Sequence, residues 1–247
     1  MDNYTHIHLQ TIDSTNAYAH QLLAQGETRN LLIDTDSQTA GRGQKGNTWE
    51  CEDNANLAFT IVCHPTFLPP NRQFALSQAM ALAVCETLSP WNSEFTVKWP
   101  NDIYWRDLKV SGTLIECDLA AGKISNCIIG TGVNVNQQHF LSDAPNPVSL
   151  RQITGHDTPL QPLLHAIARA FFTRYDALER GGDDALTALH NAYLRHLYRR
   201  TGLHPYADAT GEFWAETDRI EPTGHLWLRT STGALRRYEF KEVKFLI

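Results

Sequence analysis

Residues 5–12 alternate polar and apolar side chains, the two-residue period of a strand with one buried face. Asp13, Ser14, Thr15 and Asn16 then precede Ala17, Ala19, Leu22, Leu23 and Ala24, with Gly26 closing the segment. Small polar residues at the start and glycine at the end predict a short helix. Residues 30–36 contain Leu31, Leu32 and Ile33, a second strand, and residues 57–63, LAFTIVC, form a third. The third is nearly continuous in apolar residues, as expected of a strand covered on both faces. After a turn at residues 65–70, residues 71–88 place Phe74, Ala75, Met80, Ala81, Val84 and Cys85 at helical spacing, which reads as core packing.

Residues 94–99 predict a strand running into Pro100, Asn101 and Asp102, a turn sequence followed by Ile103, Tyr104 and Trp105. Residues 109–119 and 123–135 are two further strands joined by Ala120, Ala121 and Gly122. Gly112, Gly130 and Gly132 fall inside these strand patterns, marking bulges or places where a ligand lies against backbone. Residues 159–180 and 183–200 carry apolar positions at helical period and predict two core-facing helices. Beyond Gly202 the texture changes to short strands at 211–216, 226–230 and 236–245, separated by Pro222-Thr223-Gly224 and Ser231-Thr232-Gly233, which point to a small barrel. The expected fold class is α+β: a mixed or antiparallel sheet with helices packed on it in residues 1–202, and a β-barrel in residues 203–247.

Between the second and third strands lies a stretch that fits neither period. Residues 35–49, TDSQTAGRGQKGNTW, hold three glycines, two cations and almost no apolar residue before Trp49. A long loop hung between two core strands is a rigidly mounted site. Gly41, Gly43 and Gly46 formally satisfy G-x-G-x-x-G, but that fingerprint requires a helix directly after it and an acidic residue about twenty positions on. Neither is present, and Gly46 is followed by Asn47, so a G-x-x-x-x-G-K-[ST] loop is absent as well. A glycine-rich loop with Arg42 and Lys45 still suits an anion, because backbone amides approach closely and guanidinium binds phosphate bidentately.

Composition narrows the function classes. The 247 residues are 42% hydrophobic and 19% charged, with a formal net charge of -6. That balance argues against a nucleic-acid binder, whose phosphate contacts need a basic face. The five cysteines, Cys51, Cys63, Cys85, Cys117 and Cys127, contain no C-x-x-C pair, and read as reduced thiols rather than a metal site or disulfide framework. The N-terminus lacks a basic segment followed by an apolar one, and no run approaches eighteen uncharged apolar residues. A soluble, cytoplasmic protein with no membrane partner is expected.

Asp13-Ser14-Thr15-Asn16, Gln38, the run GRGQKGNTW from Gly41, Lys98-Trp99-Pro100-Asn101-Asp102, Lys109-Val110-Ser111-Gly112 and Gly130-Thr131-Gly132-Val133-Asn134 occur together in this order. The chain thereby resembles biotin protein ligases from its first strand to its last. That resemblance implies a class II synthetase-like catalytic domain with a C-terminal SH3-like barrel. It also implies a two-step reaction: biotin and MgATP give biotinyl-5′-AMP and pyrophosphate, then a lysine of a biotin carboxyl carrier domain attacks the mixed anhydride. The expected acceptor belongs to a biotin-dependent carboxylase. Some family members carry an N-terminal DNA-binding domain, but few residues precede the first strand here, so the short form with no nucleic-acid role is expected.

By the same resemblance, Ser14, Thr15, Asn16 and Gln38 match ureido-binding positions, and hydroxyls and carboxamides can serve that ring's donors and acceptor. Gly41, Arg42, Gly43, Lys109, Gly112, Leu114 and Gly132 complete the biotin-binding set. Arg42 and Lys109 are the catalytic candidates, offsetting the repulsion between a carboxylate and an α-phosphate. Arg42 is assigned to the phosphates and Lys109 to the biotin carboxylate. Arg42, Gln44, Lys45, Trp49, Asn101, Asp102 and Asn134 form the expected ATP and adenylate set, with Trp49 covering the adenine or anchoring the loop. Mg2+ is expected with ATP, Asn101 and Asp102 helping to place it or the adenylate, and no metal site built from protein ligands alone is assigned. Gln44 stands where many members have a second arginine, which removes one charge from the adenylate's surroundings. Lys98 receives no role.

Two rival readings are a lipoate protein ligase with the same fold and chemistry, and a noncatalytic biotin- or nucleotide-binding module. Biotin-dependent pyrophosphate exchange that fails with lipoate separates the first, and labelling of an acceptor lysine the second. Both a monomer and a homodimer fit the sequence.

Overall fold

The alternation at the N-terminus produces β1 (Thr5–Ile12), at the edge of a seven-stranded sheet. The other strands are β2 (Leu31–Gln38), β3 (Leu57–Cys63), β4 (Phe95–Lys98), β5 (Asp102–Trp105), β6 (Leu108–Ala120) and β7 (Lys123–Val133), in the order β1-β2-β3-β7-β6-β5-β4. β1 and β2 run parallel through the crossover helix α1 (Thr15–Ala24), and the remaining pairs are antiparallel. The sheet is therefore mixed, as expected. This computed structural model describes residues 4–43, 48–142 and 144–247.

Register sorts the side chains onto two faces. On one, Leu57, Phe59, Ile61 and Cys63 of β3 join Leu32, Cys127 and Ile129 beneath α2 (Phe74–Leu88) and α4 (Leu160–Arg195). On the other, Leu31, Ile33, Val62 and Ile128 pack with Ala19 of α1 and with Ile7 and Leu9 of β1. Helix α1 covers only part of that second face, which leaves the neighbouring stretch of β3, β7 and β6 for the site.

The sheet's outer edge is tied to α4 by a buried charge. Asp34, 3% exposed, accepts hydrogen bonds from His6 Nε2 at 2.7 Å, His8 Nδ1 at 3.0 Å and Gln161 Nε2 at 2.8 Å. The hydrogen bond to Asp34, with the charges of Asp34 and Asp36, raises the His8 pKa against the opposing effect of burial. A buried carboxylate is tolerated because all this polar capacity converges on it.

Several boundaries differ from the sequence pattern. Residues 35–38 belong to β2, so the polar loop begins at Thr39; pairing with β1 and β3 carries the strand past its last apolar residue. A 3-10 turn at Pro70–Arg72 precedes α2, so that helix starts at Phe74. The two predicted C-terminal helices form one run, α4, broken at Gly182, whose φ of 52° and ψ of -135° are not helical. The short helix α3 (Leu150–Thr154) was not foreseen, although it has a Ser149–Gln152 capping box and ends on Gly155 at φ 85°. All five cysteines are free; Cys63, Cys127 and Cys117 sit side by side across β3, β7 and β6, with the last two sulfurs 3.0 Å apart.

The C-terminal strands β8 (His204–Asp208), β9 (Gly211–Ile220), β10 (Leu226–Thr230), β11 (Leu235–Tyr238) and β12 (Lys244–Phe245) form a second, antiparallel sheet, of which β8 escaped the sequence pattern. The sheet docks through Trp99, whose indole nitrogen donates to Gly224 O at 2.8 Å, and through Phe240, 5.3 Å from the Trp99 ring. Trp99→Phe removes that donor and leaves a buried carbonyl unpaired, an expected cost of about 1–3 kcal/mol, readable as a lower urea midpoint.

Candidate active site

The site begins where side chains are missing. Gly112 of β6 and Gly132 of β7 are register partners, and Gly130 is paired with Leu114. A Cβ on Gly130 would overlap the Asn16 amide, and one on Gly132 would overlap the Trp49 indole. One on Gly112 would meet Lys109 Nζ at 3.0 Å and Trp49 Cζ3 at 3.2 Å. The three glycines therefore let α1, the loop and a cation all approach the same patch of backbone.

Asn16, Thr15 and Gln38 gather at one end of that patch. Ser14 occupies the N-cap position of α1 without a side-chain cap bond, so its hydroxyl is not spent on helix amides. Thr15 N donates to Gln38 Oε1 at 3.0 Å, and Thr15 Oγ1 lies 3.3 Å from the same oxygen. Thr60 Oγ1 lies 2.8 Å from Thr15 Oγ1 and 2.7 Å from Asn16 Oδ1. Asn16 Nδ2 donates to Glu116 Oε2 at 2.8 Å. Ser14, Thr15, Asn16 and Thr60 are all under 6% exposed. The result is a buried, neutral hydrogen-bonding row ending on one carboxylate.

The other end is charged. Pairing between β5 and β6 slips between Ile103 and Tyr104, so that Ser111 opposes Ile103 while Lys109 opposes Tyr104. Such a bulge re-aims a side chain, and Lys109 Nζ comes beside Gly112, 2.9 Å from Asp102 Oδ2. Lys98, across from Asp102 in the β4–β5 hairpin, donates to the Tyr104 hydroxyl at 2.9 Å. Burial lowers the Lys98 pKa, Asp102 opposes that effect, and Lys109 and Arg199 reinforce it. Asn101 is buried beside them.

The loop closes over this patch by a bridge between Arg42 and Thr48 and a bond from Trp49 N to Gly41 O at 3.0 Å. Arg42 is exposed and Gly43 half-buried at the loop's neck. The Trp49 ring lies on Gly132 with Lys109 Nζ 5.8 Å from its centroid, and its buried indole N–H has no hydrogen-bond partner among the described residues. Gln44 and Lys45 lie outside the described residues. Asn134 is placed differently from the rest: its amide reaches Lys109 O at 3.4 Å and Val148 O at 3.3 Å, tying residues 146–148 to β6.

A sequence model of the Biotin/lipoate A/B protein ligase family matches residues 9–134, a span containing every residue of this site except residues 146–148 and Arg199. The chain belongs to this family. It is similar to the bifunctional ligase/repressor BirA of Bacillus subtilis, 27% identical over 239 residues, covering 94% of this chain and 71% of that protein. It is also similar to the biotin–[acetyl-CoA-carboxylase] ligase of Paracoccus denitrificans, 29% identical over 245 residues, covering 91% and 94% respectively. In fold it matches the biotin protein ligase of Aquifex aeolicus in complex with biotin and ATP, with a TM-score of 0.79, 22% identity, and 98% and 99% of the two chains covered. Membership makes this chain a ligase, and the α+β fold with its small C-terminal sheet is that of the solved biotin protein ligases.

Within this family site, sequence patterning missed Thr60 and Glu116. Thr60 is the lone hydroxyl in LAFTIVC, and a polar residue within an otherwise apolar buried strand was the available signal. Glu116 gave none, because a glutamate on a half-exposed strand usually faces solvent.

The lowered Lys98 pKa has a defined sign in stability. Charged Lys98 costs the folded state free energy at every pH below its folded value, and that cost fades as the pH rises towards the unfolded value of 10.5. The melting temperature of Lys98→Met minus that of wild type should therefore fall as pH is raised from about 7 towards 10.5. A difference independent of pH would contradict this placement of the charge.

Proposed function

We propose that the chain is an ATP-dependent biotin protein ligase that forms biotinyl-5′-AMP and then transfers biotin to a lysine of a carrier domain. One observation carries this reading: the neutral row at Asn16 and the ammonium of Lys109 flank the same glycine floor. Gly130 and Gly132 are two residues apart on β7, about 7 Å along a strand. That geometry suits a ligand with a hydrogen-bonding ring at one end and a carboxylate at the other. Biotin's ureido ring offers two N–H donors and one carbonyl acceptor, matched by Ser14, Thr15, Asn16 and Gln38. Lipoate's dithiolane has no N–H or carbonyl in its ring and would leave those buried groups unpaired, a strong basis for rejection. The names of the relatives, several of them biotin ligases, support the same choice.

In the first step a carboxylate oxygen of biotin bonds to the α-phosphorus of ATP as the bond to pyrophosphate breaks. Lys109 is assigned to the carboxylate, and Arg42 at the loop's neck to the phosphates, both opposing the charge that gathers there. The Trp49 N–H, without a partner among the described residues, adds a donor, and its ring excludes water from the anhydride. In the second step the acceptor amine attacks the acyl carbon, AMP departs and an amide is formed.

Asp102, with Asn101 beside it, is a donor set that fits Mg2+ arriving on ATP, since this ion keeps several waters and needs only one or two carboxylates. No group of three or more His, Cys, Asp or Glu side chains able to hold a metal occurs among the described residues. When bound, Mg2+ would offset phosphate charge; the Lys109–Asp102 pair then orients the ammonium.

Exchange of labelled pyrophosphate into ATP tests the first step. Exchange should require biotin and fail with lipoate, and Arg42→Ala or Lys109→Ala should lower it by about a hundredfold or more. Exchange supported by lipoate alone would overturn the substrate assignment. Exchange without labelling of any carrier-domain lysine would overturn the transfer step.

A further inference from the structure

Glu116 lies on β6 four residues beyond Gly112, half-exposed, with its carboxylate pointed at the buried amide of Asn16. Its other neighbour is His20 of α1, whose Nε2 lies 3.5 Å from the same oxygen, Oε2. Neither residue contributes to the apolar packing of α1 on the sheet. The question is what a carboxylate at this position does for the row of hydroxyls and amides beside it.

Proton counting answers it. An ionised carboxylate only accepts, so Asn16 must turn its NH2 towards Glu116 and its carbonyl oxygen towards Thr60. Thr60 has one hydroxyl proton and two oxygens within reach, Thr15 Oγ1 at 2.8 Å and Asn16 Oδ1 at 2.7 Å. Asn16 Oδ1 cannot donate, so Thr60 gives its proton there. The same Thr60 hydroxyl is shared with Thr15 Oγ1, and Thr15 Oγ1 gives its own proton to Gln38 Oε1 at 3.3 Å, which also accepts from Thr15 N. The chain runs in one direction from Thr60 through Asn16 to Glu116, with Thr15 accepting from Thr60 and donating to Gln38. It leaves Thr15 Oγ1 as a hydrogen-bond acceptor, with Gln38 Nε2 and the second Asn16 N–H as donors. Gly130 makes the arrangement sterically possible, since any side chain there would displace the Asn16 amide.

We propose that Glu116 is a positioning residue for ring recognition: by holding the Asn16 amide in one orientation, its carboxylate sets the direction of the hydrogen-bond chain that meets the ureido group. Glu116 touches no substrate and acts through Asn16, Thr60 and Thr15. This inference rests on the biotin reading above.

Glu116→Gln tests it. Glutamine has the same shape but can donate, so Asn16 is free to flip and the chain to reverse. In biotin-dependent pyrophosphate exchange the variant should show a KM for biotin raised about tenfold, with kcat within about twofold of wild type and the KM for ATP unchanged. A second readout uses 2-iminobiotin, in which an N–H-bearing group replaces the ureido oxygen. The wild-type preference for biotin over this analogue should shrink at least about threefold in Glu116→Gln, a change that a merely structural role would not produce. A variant of wild-type melting temperature with unchanged biotin KM and unchanged discrimination would overturn the proposal. Absence of biotin-dependent exchange in the wild type would instead overturn the biotin reading itself.

Discussion

The site depends on close approach to backbone. In the middle strands of this sheet, every position that carries a side chain fills space on one face or the other, and β3 is buried along its whole length. At Gly112, Gly130 and Gly132 that filling stops, and three other parts of the chain come down onto the gap: Asn16 from α1, Trp49 from the loop and Lys109 from the bulge in β6. A methyl group at Gly130 or Gly132 would push Asn16 or Trp49 away, and one at Gly112 would crowd Lys109 and Trp49. What looks in sequence like weakened strand propensity is in space a floor on which polar groups from separate elements converge.

The floor also separates two kinds of chemistry. On the α1 side the groups are neutral, buried and mutually hydrogen-bonded, the arrangement that discriminates a polar ring by leaving its own groups unpaired when the wrong ring enters. On the other side Lys109 and Lys98 share the field of Asp102, and Lys98 pays for its burial with a lowered pKa. Keeping the cations off the α1 end leaves its hydrogen bonds ordered by one carboxylate, Glu116, while placing them together suits a step in which two anions meet. The C-terminal sheet closes this charged side, with Phe245 5.4 Å from Lys98 Nζ and Trp99 bonded to Gly224.

Much of this was legible in the amino-acid pattern. The two-residue period at β1, the apolar run at β3 and the helical stripe of α2 each became the element they predict, because burial sets them. The conjunction of Ser14-Thr15-Asn16, Gln38, Lys109, Gly112 and Gly132 marked most of the floor and both of its ends. The misses have a common cause. Residues 35–38 fall in the polar stretch but are held as strand by β1, with Thr35 paired to β3 as well, β8 has too few apolar residues to announce itself, and Glu116 acquires meaning only from an amide a hundred residues away in sequence. Pairing and third-party contacts decide these cases, and local pattern does not contain them. Asn134 shows the converse: a motif residue whose amide the fold uses to secure a loop.

The most direct test of the glycine floor is calorimetric titration of biotin into wild type and Gly130→Ala, with melting temperatures measured alongside. Biotin should bind the wild type, and the single added methyl, by displacing Asn16, should weaken that binding at least about tenfold while the fold survives. Equal affinity in a folded Gly130→Ala protein would contradict the placement of the ring-recognition row on this face of the sheet.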